Sequence, residues 1–252
     1  IKAFYNSSNL GVTLNCNQAL MACEGQYISL FAGDDVMLPG KFDMQVGFMD
    51  SRPDVVMTYH AVDIFNSDTG LTLSTTNTLP RLDTSSVESI IRRLGIAGPM
   101  SIMFRRSSMP EGGYNPAVAV ASDWLFQIQI AATGKVEKLP GVWCRYRKHG
   151  VNNGKDLSSY KHEFGQTLEI VRGMFRDRAE IIEACDAGLA RFKAGDAFRE
   201  LSVSRRSARS LMREALALHF RFAYAVAYGA TWIPGIENIA RAQKDRLRRY
   251  VG

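Results

Sequence analysis

Residues 25–39 read GQYISLFAGDDVMLP, and this stretch decides the fold. Residues 9–23 before it carry apolar side chains at helical spacing, and Gly25 is a good breaker for that helix. Residues 27–31 form a short apolar run that predicts a buried strand. Gly33-Asp34-Asp35 follows at once as a sharp polar turn. Pro39 then predicts a new helix running to about Met49 and ended by Pro53. A strand that runs directly into paired carboxylates sets hard oxygen ligands at the edge of a sheet. Mg²⁺ or Mn²⁺ binds such a place with few protein ligands and several open positions. The plainer reading of the same turn is a solvated Asp-Asp pair that caps the next helix.

Outward from this stretch, strand and helix signals alternate. Residues 55–59 predict a strand, and Asp68-Thr-Gly70 a hairpin turn. A short helix is expected over 85–94 behind a Thr/Ser cap. A strand is expected over 101–105, followed by a Gly112-Gly113 turn. Residues 122–133 predict a helix with Asp123 in its first turn. Two strands, 136–139 and 142–146, flank Pro140-Gly141. Such alternation indicates an α/β layered fold. Beyond residue 158 the pattern is helical throughout, in segments 158–193, 196–228 and 235–250.

Charge divides the chain at the same place. Residues 1–157 hold 14 Lys/Arg and 14 Asp/Glu, whereas residues 158–252 hold 17 and 11, so the second part carries the whole net charge of +6. Two domains are expected, 1–157 and a basic α-helical extension, 158–252. With 46% apolar and 22% charged residues, the composition is that of a packed globular chain and excludes extended disorder. No apolar run approaches the roughly 20 residues that cross a bilayer. The opening IKAFYNSSN lacks the apolar stretch and cleavage site of a signal peptide. A cytoplasmic location is expected, with the basic tail able to lie at the inner face of a membrane. Cys16, Cys23, Cys144 and Cys185 form no CxxC pair, which argues against zinc, and they read as small buried apolar residues. The basic residues sit in no recognisable RNA or DNA module, so nucleic acid is not an expected partner.

Three ordered groups of residues together resemble the family 2 glycosyltransferases. The first is Asn9-Leu-Gly11, Asn17, Ala19, Gly25-Gln-Tyr27-Ile28, Gly33-Asp34-Asp35 and Pro39, which is similar to the family's N-L-G, N-x-A/G, G-x-Y-I, D-x-D-D and P. The second is Gly112-Gly113-Tyr114 followed by Ser122-Asp123-Trp124-Leu125, similar to G-G-F/Y and E-D-W/Y-x-L. The third runs from Trp143 through Arg147-Lys-His149 to Asn152-Asn153, similar to Y-R-x-H-x-x-N. Each piece alone is weak; the ordered set is specific.

The resemblance covers residues 1–155 and implies a GT-A-like layered sheet with helices. It implies an inverting, metal-assisted transfer of a sugar from a nucleotide-diphosphate sugar to a hydroxyl on a glycan, lipid-linked or protein acceptor. It assigns Asp34, Asp35 and His149 to Mn²⁺ or Mg²⁺, and Asp34, Arg147 and His149 to the donor diphosphate. It assigns Asp123 as the base that takes the acceptor proton. The chain departs from the family at Ala32, where Asp is usual, and at Ser122, which replaces an acidic neighbour. It also enters the pattern midway, without the I-P-x-Y-N and D-D-G-S/T segments that hold base and ribose in relatives, so an N-terminally incomplete sequence is expected.

Other readings stay open at this level. Asp123 is also an ordinary helix-start residue, and His149 an ordinary surface or core histidine. Trp124 suits either a sugar face or the core. Ala32 fits a non-catalytic carbohydrate-binding scaffold with a degenerate transferase fold. The arginines at 199, 205, 206, 209 and 213, with Lys244, Arg246, Arg248 and Arg249, fit either a packed helical appendage or a peripheral membrane or partner-binding surface.

Overall fold

The computed structural model describes residues 2–78, 85–149 and 157–242. The chain forms two compact units, Ile1–Met174 and Phe175–Gly252. The charge boundary near 157 and this contact boundary are separate features, because the helix that begins at Leu157 belongs to the first unit.

The first unit runs α1 (Gly11–Met21), β1 (Tyr27–Ser29), β2 (Val36–Met37), α2 (Lys41–Ser51), β3 (Val55–Asn66), β4 (Thr72–Thr75), α3 (Val87–Arg93), β5 (Met103–Arg105), α4 (Ser122–Ala131), β6 (Lys135–Lys148) and α5 (Leu157–Met174). The sheet order is β1-β5-β3-β6-β2, with β4 added to β3. β3 and β6 are parallel, and the other pairings are antiparallel. The α/β layered sheet with a helical region after it is the architecture expected from sequence.

Strand β3 is longer than its sequence signal. Residues 55–60 are all buried, so that part of the strand is covered on both faces. From Ala61 onward burial alternates, and the strand reaches Asn66. The two strands expected around Pro140-Gly141 are one strand, β6. Its register against β3 shifts between Tyr59 and Ala61, which is where Pro140 and Gly141 are accommodated. Proline lacks the N–H for a ladder bond, and an irregularity absorbs it without ending the strand.

Helix α2 starts two residues after Pro39. Gly40 is its N-cap at φ 85°, and the Trp143 ring fills the space where a side chain would stand. Its buried stripe is Lys41, Gln45 and Met49. Two of the three are polar, and both find partners: Gln45 donates to Ser101 O (2.9 Å), and Lys41 Nζ to Ser29 Oγ (2.7 Å). Helix α4 is buried along nearly its whole length, with Phe126 stacked on Tyr114 and edge-on to Phe104. Of the four cysteines only Cys144 and Cys185 are buried; Cys16, on α1, is exposed, and Cys23, just past the end of that helix, is half-buried.

The second unit contains α6 (Ala179–Glu200), α7 (Arg205–Leu218) and α8 (Phe222–Ala230). Its core is built on Ala190, Ala194, Ala197, Met212, Ala215 and Tyr224. The breaks differ from the sequence expectation. α6 runs through 193–196, since Gly195 is tolerated inside a packed helix. The break falls instead before Ser204, whose side chain accepts from the Ser207 amide and caps α7. Among the described residues no helix is long and apolar enough to cross a membrane. Lys244, Arg246, Arg248 and Arg249 lie outside the described residues.

Candidate active site

The pairing of β2 with β6 assembles the first cluster. Val36 stands opposite Arg145 and Met37 opposite Cys144. Continuing that antiparallel register backward sets Asp35 and Asp34 beside the last residues of β6. The contacts agree. The Arg147 amide donates to Asp35 Oδ1 (2.9 Å), and Arg147 Nε donates to the Asp34 carbonyl (2.6 Å). His149 Nε2 lies 3.1 Å from Asp34 Oδ2. Side-chain exposure is 50% at Asp34 and 34% at His149, so solvent and small ligands reach this pair. The other Asp35 oxygen, Oδ2, is buried without a hydrogen-bond partner among the described residues. Burial is the main reason the Asp35 carboxyl is pushed up from its ordinary value.

Behind this cluster, the Arg145 and Arg147 guanidiniums lie 4.2 and 5.0 Å from the Phe65 ring centroid. That face holds the two cations in place without neutralising them. Deeper still, burial lowers Lys41 to about 8 and His60 to about 4, and raises Cys144 to about 11. The His60 ring is therefore neutral at pH 7, as its burial requires. No sequence signal marked Lys41, because its burial follows from the angle at which α2 lands on the sheet.

The second cluster surrounds Asp123. Its Oδ1 accepts from the Trp124 amide (2.9 Å), and burial pushes its carboxyl up. Burial, and after it the Asp123 charge, raises the Cys16 thiol and the Tyr114 phenol, so α1, the Gly112-Gly113 turn and the start of α4 meet here. The joints are explicit. Asn17 Nδ2 donates to Tyr114 O (2.8 Å), and the Tyr114 amide donates to Asn17 Oδ1 (2.7 Å). Thr13 Oγ1 and Ser122 Oγ are 2.8 Å apart. Gly112 and Gly113 both have φ 75°, and a Cβ on Gly113 would come within 2.6 Å of Asn17 Oδ1. That glycine is required twice over, by its backbone and by the approach of α1.

Glu163 on α5 supplies a support that sequence reasoning missed. Its carboxylate accepts from the Val120 amide (3.1 Å) and the Ala121 amide (2.6 Å), immediately before α4. It does so from 42 residues away, with only 8% of its surface exposed. A buried glutamate in a helix is a weak hint at best. Trp124 proves to be core: it is 3% exposed, and its indole donates to Ile90 O. The reading of Trp124 as a sugar platform is therefore set aside.

Asp34, Asp35, Arg147 and His149 are thus one cluster, and Asp123 stands in another. Among the described residues no three His, Cys, Asp or Glu side chains converge as a ready metal-ligand set. Asn152 and Asn153 of the third motif lie outside the described residues.

Residues 1–111 match the family model described as Glycosyl transferase family 2. The uncharacterized protein Rv1520 of Mycobacterium tuberculosis is 27% identical over 197 residues, covering 73% of this chain and 56% of that protein. The amylovoran biosynthesis glycosyltransferase AmsE of Erwinia amylovora is 26% identical over 140 residues, covering 55% of this chain and 51% of its own length. The chain thus spans about half the length of the curated relatives it matches. The crystal structure of S. aureus TarS 1-349 superposes with a TM-score of 0.59 at 10% identity, over 94% of this chain and 68% of that one. At such identity the likeness speaks to the fold alone. The match of residues 1–111 to the family 2 glycosyltransferase model and the GT-A-like α/β sheet agree, so this part of the chain is similar to that family in sequence and in fold.

Proposed function

We propose that this chain carries the metal-site and acceptor side of an inverting glycosyltransferase that uses a nucleotide-diphosphate sugar. The domain so assigned is residues 1–157, with 158–252 as its helical extension. The observation that carries the reading is the 3.1 Å approach of His149 to Asp34 at the β2–β6 edge, with Arg147 bonded to both halves of the Asp34-Asp35 turn. Asp34 and His149 would be two ligands of a divalent cation, with Asp35 on the same turn behind them and the remaining positions open to the donor diphosphate. Mn²⁺ or Mg²⁺ bound by these residues would supply positive charge toward the donor diphosphate.

The chain's own residues do the rest. Arg147 orients the diphosphate by charge and its planar donors. Asp123 takes the proton of the acceptor hydroxyl as that oxygen bonds to the anomeric carbon and the bond to the diphosphate breaks. Glu163, Asn17 and Thr13 hold the start of α4 so that Asp123 stays aimed. The acceptor is a hydroxyl of a glycan or a lipid-linked sugar, and the reaction belongs on the cytoplasmic side, where nucleotide sugars are made.

The test is Asp123→Asn in the intact protein, assayed against a panel of nucleotide-diphosphate sugars. Turnover should fall by about 10²–10⁴ with donor binding preserved. The wild-type pH profile adds a second readout. Asp123 works ionised and its pKa is raised, so activity is present above that value and lost as pH falls through it. The acid limb of kcat/KM should therefore lie above the ordinary aspartate value of about 3.9. Unchanged turnover in Asp123→Asn would remove that residue from the mechanism. Ala32, where the family usually has Asp, favours a second reading, a carbohydrate-binding scaffold. Donor binding without any turnover in the intact protein would select it.

A further inference from the structure

We propose that the exposed face of α8 and the turn after it dock on an anionic lipid surface. The inference is independent of the transferase reading. Residues 222–234, FAYAVAYGATWIP, contain no charged side chain. One side of α8 packs inward through Tyr224, with Ala227 and Tyr228 against the unit's core. The other side is also apolar and is uncovered among the described residues. Phe222 is 77% exposed, Val226 56% and Ile233 53%, with Trp232 beside them at 59%. Phe222 and Val226 are four residues apart on α8, which puts them on one face, and Trp232 and Ile233 follow in the turn after it. Single exposed apolar residues are ordinary, but a continuous stripe of large ones marks an interaction site.

The stripe's far end is held rigid. Arg209 donates to Thr231 O (2.9 Å) and Thr231 Oγ1 (3.2 Å), and its guanidinium lies 3.4 Å over the Trp232 ring. Arg205 Nη1 donates to Ile233 O (3.3 Å). Two arginines thus clamp the turn from behind and leave Trp232 and Ile233 projecting. An apolar wedge fixed in advance loses little conformational freedom when it inserts.

Charge selects the partner. Residues 205–252 carry ten Lys/Arg and three Asp/Glu, a surplus larger than that of the whole chain. Two of the three carboxylates are already paired, Glu214 with Lys193 (2.6 Å) and Glu237 with Arg205 (3.1 Å). Arg206 and Arg213 are exposed on α7. A stripe of Phe, Val, Ile and Trp rimmed by arginine fits lipid chains beneath anionic headgroups, with the indole at the interface. It offers a protein partner few directional hydrogen bonds.

The test is co-sedimentation of the full chain with vesicles. Wild type should pellet with equal parts phosphatidylcholine and phosphatidylglycerol, far less with phosphatidylcholine alone, and less again at high salt. Phe222→Asp/Val226→Asp should lower the bound fraction by about tenfold or more. Arg206→Glu/Arg213→Glu, at exposed sites that leave the apolar stripe intact, should lower it by several-fold. Leu71→Asp, 68% exposed on the β3–β4 hairpin, should leave it unchanged. Circular dichroism checks that each variant folds. Wild type that does not pellet, or a Phe222/Val226 variant that pellets like wild type, overturns the proposal. A wild-type dimer that the Phe222/Val226 variant dissolves, without vesicle binding, also overturns it and assigns the stripe to a second copy of the chain.

Discussion

The two acidic clusters of the first unit are held by different means. Asp34 and Asp35 are placed by backbone register: β2 pairs with β6, and the turn residues arrive beside Arg147 and His149. Asp123 is placed by side chains that reach across the sequence, Asn17 to Tyr114, Thr13 to Ser122 and Glu163 to Val120 and Ala121. A register is shared over many ladder bonds, so one substitution seldom shifts it. A helix start held by three side chains has fewer supports. The proposed catalytic position, Asp123, should thus be the more fragile of the two, although it is the more buried.

The sharpest way to break this comparison is Glu163→Ala. It leaves the Val120 and Ala121 amides buried without their acceptor, at a cost of about 3 kcal/mol in stability. The melting temperature should fall, and kcat should fall with little change in donor KM. A normal kcat in a folded Glu163→Ala would show that α4 needs no such support. Asn17→Ala comes next. It removes both bonds to Tyr114 and should cost about 2 kcal/mol by thermal unfolding. Added to Glu163→Ala it should give a non-additive loss, because both act on the segment before α4. Arg147→Lys is the smallest. The backbone bond to Asp35 survives, while the bond to Asp34 O and the ring contact with Phe65 are lost. Donor affinity should weaken by about tenfold or less, read by titration, with the melting temperature nearly unchanged. A large loss of stability there would mean the register is less robust than argued.

Much of this was legible in the chain. The GQYISLFAGDD stretch announced a strand meeting a carboxylate turn, and Ser122-Asp123 announced a helix start. Local rules suffice for such signals, because strand burial, turn chemistry and helix caps depend on neighbours within a few residues. Less was visible where a contact spans a hundred residues. Nothing near Glu163 says that its carboxylate caps α4, and nothing near Lys41 says that it is buried. Pro140-Gly141 read as a break between strands, yet the pairing of β6 with β3 on either side absorbs it. Gly195 likewise read as a break, yet α6 runs through it beside the packed Ala190, Ala194 and Ala197.

The sequence by itself determined the layered α/β plan, the basic helical region and the identities of the acidic residues, since these rest on periodicity, composition and motif order. Only the tertiary structure decided which of those acids share a cluster, that Trp124 is core and Cys16 exposed, and that the second unit leaves an apolar stripe uncovered. Those outcomes depend on how strands register and helices cross, which is fixed by long-range burial and not by any short stretch of residues.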